Sequence, residues 1–518
     1  MALRRVLGGA ASTRVQARRA PLLLRPARRG LHASMTTRFG VEGAVDDAPP
    51  SPLRVCVVGA GPAGFYAAKY LLKEHEQVYV DMIEALPTPY GLVRAGVAPD
   101  HPEVKSVMND FEKVAAEERF DFLGNVVVGQ DVHLDELKQH YHAVLLAYGA
   151  SGDRALGIPG EELAGVYGAR SFVNWYNGHP SFRDLNPDLS HETVVIFGQG
   201  NVAIDCARVL TKSLDELKST DISQHAIEAL SKSKVKKVYV VGRRGSAQAA
   251  FTMKEIREIT KLPGVACVVD PAELEQSLNA ASQQEINEQR AKKRMNELLG
   301  KVAFEYESAS QAERQIRLKF LASPVELLAD PERPDHVGVV RVEKTRLEGD
   351  ANRQSAKGTG EFEEIPCGLV LRSIGYKSTP INDVPFNAQR HVVTNDQGRV
   401  IDSEQLPVAG LYCAGWLKRG PSGIIGSNIV DARETVACIM EDAKQGKLLT
   451  PPAEVATGSA LSEVRRLVQM RDPKKALVSW EDVEHLHAEE EQRGAAVGKP
   501  REKITAVDEM LTVLFGKQ

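Results

Sequence analysis

Two glycine-rich turns, each set between a strand-like run and a helix-like run, constrain this chain more than any other feature. The first is Val55-Cys56-Val57-Val58-Gly59-Ala60-Gly61-Pro62-Ala63-Gly64. The second is Val194-Val195-Ile196-Phe197-Gly198-Gln199-Gly200-Asn201-Val202-Ala203. The strand-like run after the first turn closes on an acid, Glu84; the run after the second closes on two bases, Arg243 and Arg244. One such turn alone is a weak signal. Two with opposite endings imply one chain that holds two different dinucleotides and relays electrons between them.

Each glycine of the first turn has a physical task. Gly59 permits the tight turn, Gly61 lets backbone approach a pyrophosphate, and Gly64 lets helix and strand pack closely. The N-terminus of the following helix offers N–H groups and partial positive charge to phosphates. Glu84 falls twenty residues after Gly64. A carboxylate there accepts ribose hydroxyls and repels a 2′-phosphate, which suits FAD or NAD. The second turn has Ala203 as its third small residue, an accepted variant. Its second strand is expected over Val235–Val241, and Arg243 with Arg244 can grip a 2′-phosphate through charge-assisted bonds. That ending favours NADP(H). Taken alone, the same two arginines also suit a solvated surface.

Residues 1–38 hold nine arginines and no acid, the composition of a mitochondrial transit peptide, with 39–50 as a linker. Without those arginines the formal net charge goes from −4 to −13 over residues 39–518. So acidic a body argues against a nucleic-acid binder. No run of eighteen apolar residues occurs, so no spanning helix is expected. The six cysteines are spread singly, without a CxxC pair. That pattern speaks against a disulfide framework, a metal or iron–sulfur site in the chain, and a redox-active dithiol.

The segment Pro89-Tyr90-Gly91-Leu92-Val93-Arg94-Ala95-Gly96-Val97-Ala98-Pro99-Asp100-His101-Pro102 resembles the adrenodoxin reductase family and its bacterial ferredoxin–NADP reductase relatives. The resemblance runs from about Arg54 through Gly498-Lys499-Pro500-Arg501-Glu502-Lys503. It implies that the first loop binds FAD, with contacts at Ala63, Glu84, Leu92 and Val128 beside Gly59, Gly61 and Gly64. It also implies NADP contacts at Gln199, Gly200, Asn201, Val202, Arg243, Arg244 and Glu255. Trp416 stands where many two-dinucleotide flavoproteins carry an acid. The resemblance places FAD contacts there and at Gly423, Ile424 and Ile425, with Gly423 touching NADP as well. His101 is expected near the flavin, in proton handling or positioning, with Glu255 as its companion.

The expected fold class is α/β, with two Rossmann-like three-layer dinucleotide-binding domains in a glutathione-reductase-like arrangement. The apolar runs His142–Ala150 and Leu369–Tyr376 mark the crossings between them. The FAD domain is then discontinuous: 51–152, and again from 381 to 518 with a C-terminal extension, around an NADP domain over 153–380. The connection 211–234 reads as an added surface helix, Asp221–Ser231. The segments 275–315 and 450–505 read as solvated helices, with Trp480 and Leu486 able to dock.

These expectations converge on a flavoprotein that takes hydride from NADPH, its substrate, and passes single electrons onward. The resemblance implies an acidic [2Fe–2S] ferredoxin as acceptor, serving mitochondrial haem monooxygenases or cluster assembly. It also implies a monomer in the mitochondrial matrix, with peripheral contact to the inner membrane left open. A negative body repels an acidic partner, so attraction requires a local basic face. Candidates are Lys232–Lys237, Lys254–Lys261 with Arg257 and Lys261 foremost, and Lys292-Lys293-Arg294. The alternatives are an NADPH-dependent flavoprotein reductase of a small molecule, and a module that senses NADPH without turnover.

Overall fold

Short apolar runs that end in glycine build two parallel sheets. The computed structural model describes residues 52–452 and 459–516; the expected targeting segment and linker lie outside the described residues. The first sheet has seven strands, in the order Asn395–Asp396, Arg399–Ile401, Pro407–Cys413, Ala143–Leu146, Leu53–Val58, Val78–Ile83 and Phe120–Leu123. Its members from Pro407–Cys413 to Phe120–Leu123 are parallel. The second sheet has six parallel strands, in the order Val166–Gly168, Leu369–Arg372, Thr193–Phe197, Lys237–Val241, Gln315–Lys319 and Ala266–Val269. Strands buried on both faces read as continuous apolar runs, which is why these were visible in the sequence.

Both sheets reverse their winding beside a glycine turn. Leu53–Val58 lies between Val78–Ile83 and Ala143–Leu146, and Thr193–Phe197 lies between Lys237–Val241 and Leu369–Arg372. Such a switch point opens a crevice at the C-terminal strand ends, where ligands of α/β sheets bind. Gly59 (φ +106°) and Gly198 (φ +121°) sit in these crevices in a conformation that L side chains rarely adopt. A Cβ on Gly59 would approach Ala147 backbone to 2.8 Å, and one on Gly198 would collide with the Ser373 carbonyl. The two chain crossings between the sheets pair with each other: Gly152–Asp153 runs antiparallel to Tyr376–Lys377.

Several expectations need correction. The connection 211–234 contains two helices, Leu214–Lys218 and Gln224–Leu230, because Asp221 is drawn out of helix by Lys105 (2.6 Å) and Lys503 (2.9 Å). The strand before Arg243 begins at Lys237. The helix Arg290–Phe304 is not merely solvated: Met295, Leu299 and Ala303, four residues apart, enter the core of the second sheet's layer. Likewise Leu461, Val464 and Val468 of Ala460–Arg471 are buried against the first sheet. Trp480 docks edge-on to Phe122, with ring centroids 5.7 Å apart, and Leu486 is fully buried. A three-stranded antiparallel sheet, Ala322–Asp330, Arg333–Glu348 and Ser355–Pro366, had no counterpart in the sequence reading. Among the described residues, no helix is long and apolar enough to cross a membrane.

The C-terminal segment ties the two sheets together through buried charge. Glu490, wholly buried, accepts from Arg94 at 2.5 Å and from Arg501 at 3.1 Å. Its carboxyl is held down at about 2, against the cost of burial, chiefly by Arg94. Asp221 is likewise held at about 2 against burial by Lys503 and Lys105. Removing one partner of a buried pair costs about 3–5 kcal/mol, because the other charge is stranded. Glu490→Ala is therefore expected to lower thermal stability by that order, read from the unfolding midpoint. Both carboxyls lie below their unfolded values of 4.5 and 3.8. Their contribution is complete above roughly pH 5 and is lost as pH falls toward their folded values. Denaturant midpoints should fall over that acidic window, and less steeply in Glu490→Gln.

Candidate functional site

The first glycine turn is braced from within. Glu84, at the end of Val78–Ile83, accepts from the Ala60 N–H at 2.7 Å and from the Leu86 N–H at 3.2 Å. Burial pushes its carboxyl up, and these backbone bonds pull it back. The helix Pro62–Glu74 follows, with proline in its first turn, where no N–H is needed. A Cβ on Gly64 would collide with the Gly59 carbonyl, so only glycine lets helix and turn sit this close. A Cβ on Gly61 or Gly200 would meet nothing within 4 Å. Both face open space, as backbone meant to meet a ligand does.

One cavity of about 970 Å³ runs between the two glycine turns. That is at the upper end of the range of about 300–1,000 Å³ for small-molecule sites. Of the residues expected to bind, Gly59, Gly61, Ala63, Glu84, Leu92, Trp416, Gly423, Ile424 and Ile425 line it from the first sheet's side. Asn201, Val202 and Glu255 line it from the second, and His101 lines it too.

The remaining expected residues are not among its lining. Gly64 is buried under the turn. Val128 is half-buried at a bridge with Val132, close to Glu84 in the chain's folding because the Val126 N–H reaches the Glu84 carbonyl at 2.9 Å. The Gln199 side chain turns away and donates to the Lys319 carbonyl at 2.9 Å. Gly200 caps the helix Asn201–Thr211. Arg243 and Arg244 are exposed just beyond Lys237–Val241, and among the described residues neither guanidinium meets a carboxylate.

The third flavin-like element is held by a residue that the sequence reading missed. Asp431, buried on the helix Ser427–Lys444, accepts from the Gly415 N–H and pairs with Lys418 at 3.2 Å. This fixes the turn that carries Trp416, whose ring lies 5.4 Å from that of Tyr376 at the chain crossing. A Cβ on Gly415 would approach that of Ala63 to 2.5 Å, so this turn rests on the first glycine helix.

A charged node lies at the middle of the cavity wall. His101 Nε2 is 2.8 Å from Glu258 Oε2. Arg208, 2 % exposed, is within 2.8 Å of Asp100 and Asp205 and 3.4 Å from both Glu255 and Glu258. Burial, then Asp205, pushes the Glu255 carboxyl up, while His101 and Arg208 oppose this. His101, Glu255 and Glu258 are close enough together to hold a cation, and the Arg208 guanidinium already stands 3.4 Å from both acids. The sequence reading named His101 and Glu255 and missed Arg208, Asp100, Asp205 and Glu258. A visible signal was the pair Asp205 and Arg208 in the otherwise apolar run Ala203–Leu210.

Residues 53–266 match the pyridine nucleotide-disulphide oxidoreductase family. The chain is 46 % identical over 489 residues to the mitochondrial NADPH:adrenodoxin oxidoreductase of Salvelinus fontinalis, covering 92 % of this chain and 94 % of that one. It is 46 % identical over 483 residues to the protein of the same name from Arabidopsis thaliana, covering 92 % and 98 %. The structure of Mycobacterium tuberculosis FprA in complex with NADPH superposes with a TM-score of 0.82 at 39 % identity, covering 90 % of this chain and all of that one. The two sheets, the two glycine turns and the cavity between them thus carry the same assignment as the sequence: the chain belongs to the NADPH:adrenodoxin oxidoreductase family and is an NADPH-dependent flavoprotein oxidoreductase.

Proposed function

We propose that this protein reduces an acidic [2Fe–2S] ferredoxin of the adrenodoxin type at the expense of NADPH, through FAD held in the interdomain cavity. The ferredoxin in turn supplies mitochondrial haem monooxygenases, in steroid or sterol hydroxylation, and iron–sulfur cluster assembly. The protein works as a monomer in the matrix, peripheral to the inner membrane. The observation that carries this reading is the single cavity reached from two glycine turns, one ending in Glu84 and the other in Arg243 and Arg244.

The residues fit both groups. Gly61 leaves room for a pyrophosphate, and the N-terminus of Pro62–Glu74 offers it N–H groups. Glu84 keeps lone pairs for ribose hydroxyls beyond the two backbone bonds it accepts. Ala63, Leu92, Val128, Trp416 and the Gly423-Ile424-Ile425 segment complete the FAD side. Gln199 through Val202 hold the NADPH pyrophosphate, and Arg243 with Arg244 take the 2′-phosphate. When bound, the flavin supplies the chemistry that links a two-electron nicotinamide to a one-electron iron–sulfur acceptor. His101 and Glu258 share a proton at His101 Nε2, and Arg208 keeps the carboxylates around them ordered.

The docking face centres on Arg257, exposed on the helix Met253–Ile259, and Lys261, exposed just after it. Other basic residues, Lys254 of the same run included, are partly neutralised within the chain: Lys254 by Glu103 (2.7 Å), Lys236 by Glu192 (2.7 Å) and Lys292 by Glu285 (2.8 Å).

The test is NADPH-driven reduction of cytochrome c by the purified, flavin-containing protein. It should require an added [2Fe–2S] ferredoxin and weaken as salt is raised; activity indifferent to both would sink the proposal. Charge-assisted hydrogen bonds contribute about 1.5–3 kcal/mol each. The KM for NADPH should therefore rise about tenfold to a hundredfold in Arg243→Ala and in Arg244→Ala, while the KM for NADH stays near that of the parent.

A further inference from the structure

The helix Ala169–Tyr176 and the residue that caps it carry two asparagines with no role in the assignments above. Asn174 and Asn177 lie one turn apart, are each 1 % exposed, and both line the interdomain cavity. Neither Nδ2 nor Oδ1 of either side chain has a hydrogen-bond partner among the described residues. A carboxamide so deeply buried is costly unless something pairs with it, and an apolar side chain would suit the position better on packing grounds. Several other polar groups of the cavity wall are already engaged, although Arg170 Nε is not, among the described residues. Glu84 holds two backbone N–H groups, His101 meets Glu258, and the Asn201 carbonyl oxygen accepts from the Thr252 N–H at 2.8 Å. Arg170, on the same helix, donates to the Ser151 carbonyl at 2.5 Å.

We propose that Asn174 and Asn177 bind and orient a planar amide edge presented inside the cavity. Each carboxamide offers two donors and one acceptor, so the pair complements a group with an N–H beside a C=O. A phosphate would call for cations or a helix N-terminus instead. The amide edge occurs on the nicotinamide carboxamide and on the pyrimidine ring of flavin. By fixing that edge, the asparagines set the angle at which a ring lies in the cavity, and so act as positioning residues. This inference rests on the cavity's assignment to FAD and NADPH.

The experiment compares the parent with Asn174→Leu and Asn177→Leu, using Asn174→Ser and Asn177→Ser where a leucine variant does not fold. Three quantities are read: flavin content with its visible absorption band, the Kd of NADP+, and the Kd of 2′,5′-ADP, which lacks the nicotinamide. If the edge belongs to nicotinamide, the Kd of NADP+ rises roughly tenfold while that of 2′,5′-ADP and the flavin band stay put. If it belongs to flavin, the flavin band shifts and flavin is lost more readily, with 2′,5′-ADP binding intact. Folded variants that move neither arm overturn the proposal and leave solvent as the partner of the two amides. A parent protein that carries no flavin would instead overturn the proposed function itself.

Discussion

Everything at the site depends on a seam of buried, paired charge. Asp221 sits between Lys105 and Lys503, Glu490 between Arg94 and Arg501, and Arg208 on Asp100. Arg94, Asp100 and Lys105 all belong to the segment that follows the strand Val78–Ile83 and Glu84. Their partners come from the second sheet's helices and from the C-terminal end of the chain. Charges so buried persist only where partners and hydrogen bonds replace water. A misplaced unit strands several of them at once, so the seam holds the two sheets in one relative position more sharply than apolar contact could. The cavity between the glycine turns inherits its shape from that constraint.

The seam also explains the local chemistry. Lys503, fully buried, is pushed down to about 7 by burial, although Asp221 beside it favours the charged form. Lys105 and Arg94 add to the downward push. Around Arg208 the balance is reversed: four carboxylates converge on one guanidinium, which lifts Arg208 further above its ordinary value and holds Asp100 well below its own. His101 therefore faces, in Glu258, a carboxylate that Arg208 also approaches at 3.4 Å.

Legibility in the sequence followed the period of burial. Strands buried on both faces and closed by glycine, such as Leu53–Val58 and Thr193–Phe197, were visible because all their residues but Arg54 and Thr193 are apolar and the turn chemistry is specific. Glu84, Arg243 and Arg244 were visible because their place after a strand has a fixed meaning. The antiparallel sheet over 322–366 was not, because its last strand, Ser355–Pro366, exposes most of its residues and so lacks an apolar signature. The helices of 275–315 were misjudged because a stripe as sparse as Met295, Leu299 and Ala303 is outnumbered by charge. Asp431, Asn174 and Arg208 were missed for a common reason. Each is polar on a helix, and for Asp431 and Asn174 only the tertiary structure shows that the side chain points inward.

The same locality bears on the tension between a body charge of −13 over residues 39–518 and the acidic partner proposed for it. At physiological ionic strength the screening length is about 8 Å. A docking surface therefore feels the few charges beneath it rather than the sum over a protein of this size. Internal pairing decides which charges count. Acids tied up in the seam, such as Glu490, Asp221 and Asp100, sit next to cations and present little field outside. Exposed guanidinium and ammonium groups with no acid beside them keep theirs. Arg243, Arg244, Arg257 and Lys261 are of that kind and come from one short stretch of the second sheet's unit. A negative chain can in this way present a local positive patch, which is what the proposed docking of an acidic ferredoxin requires.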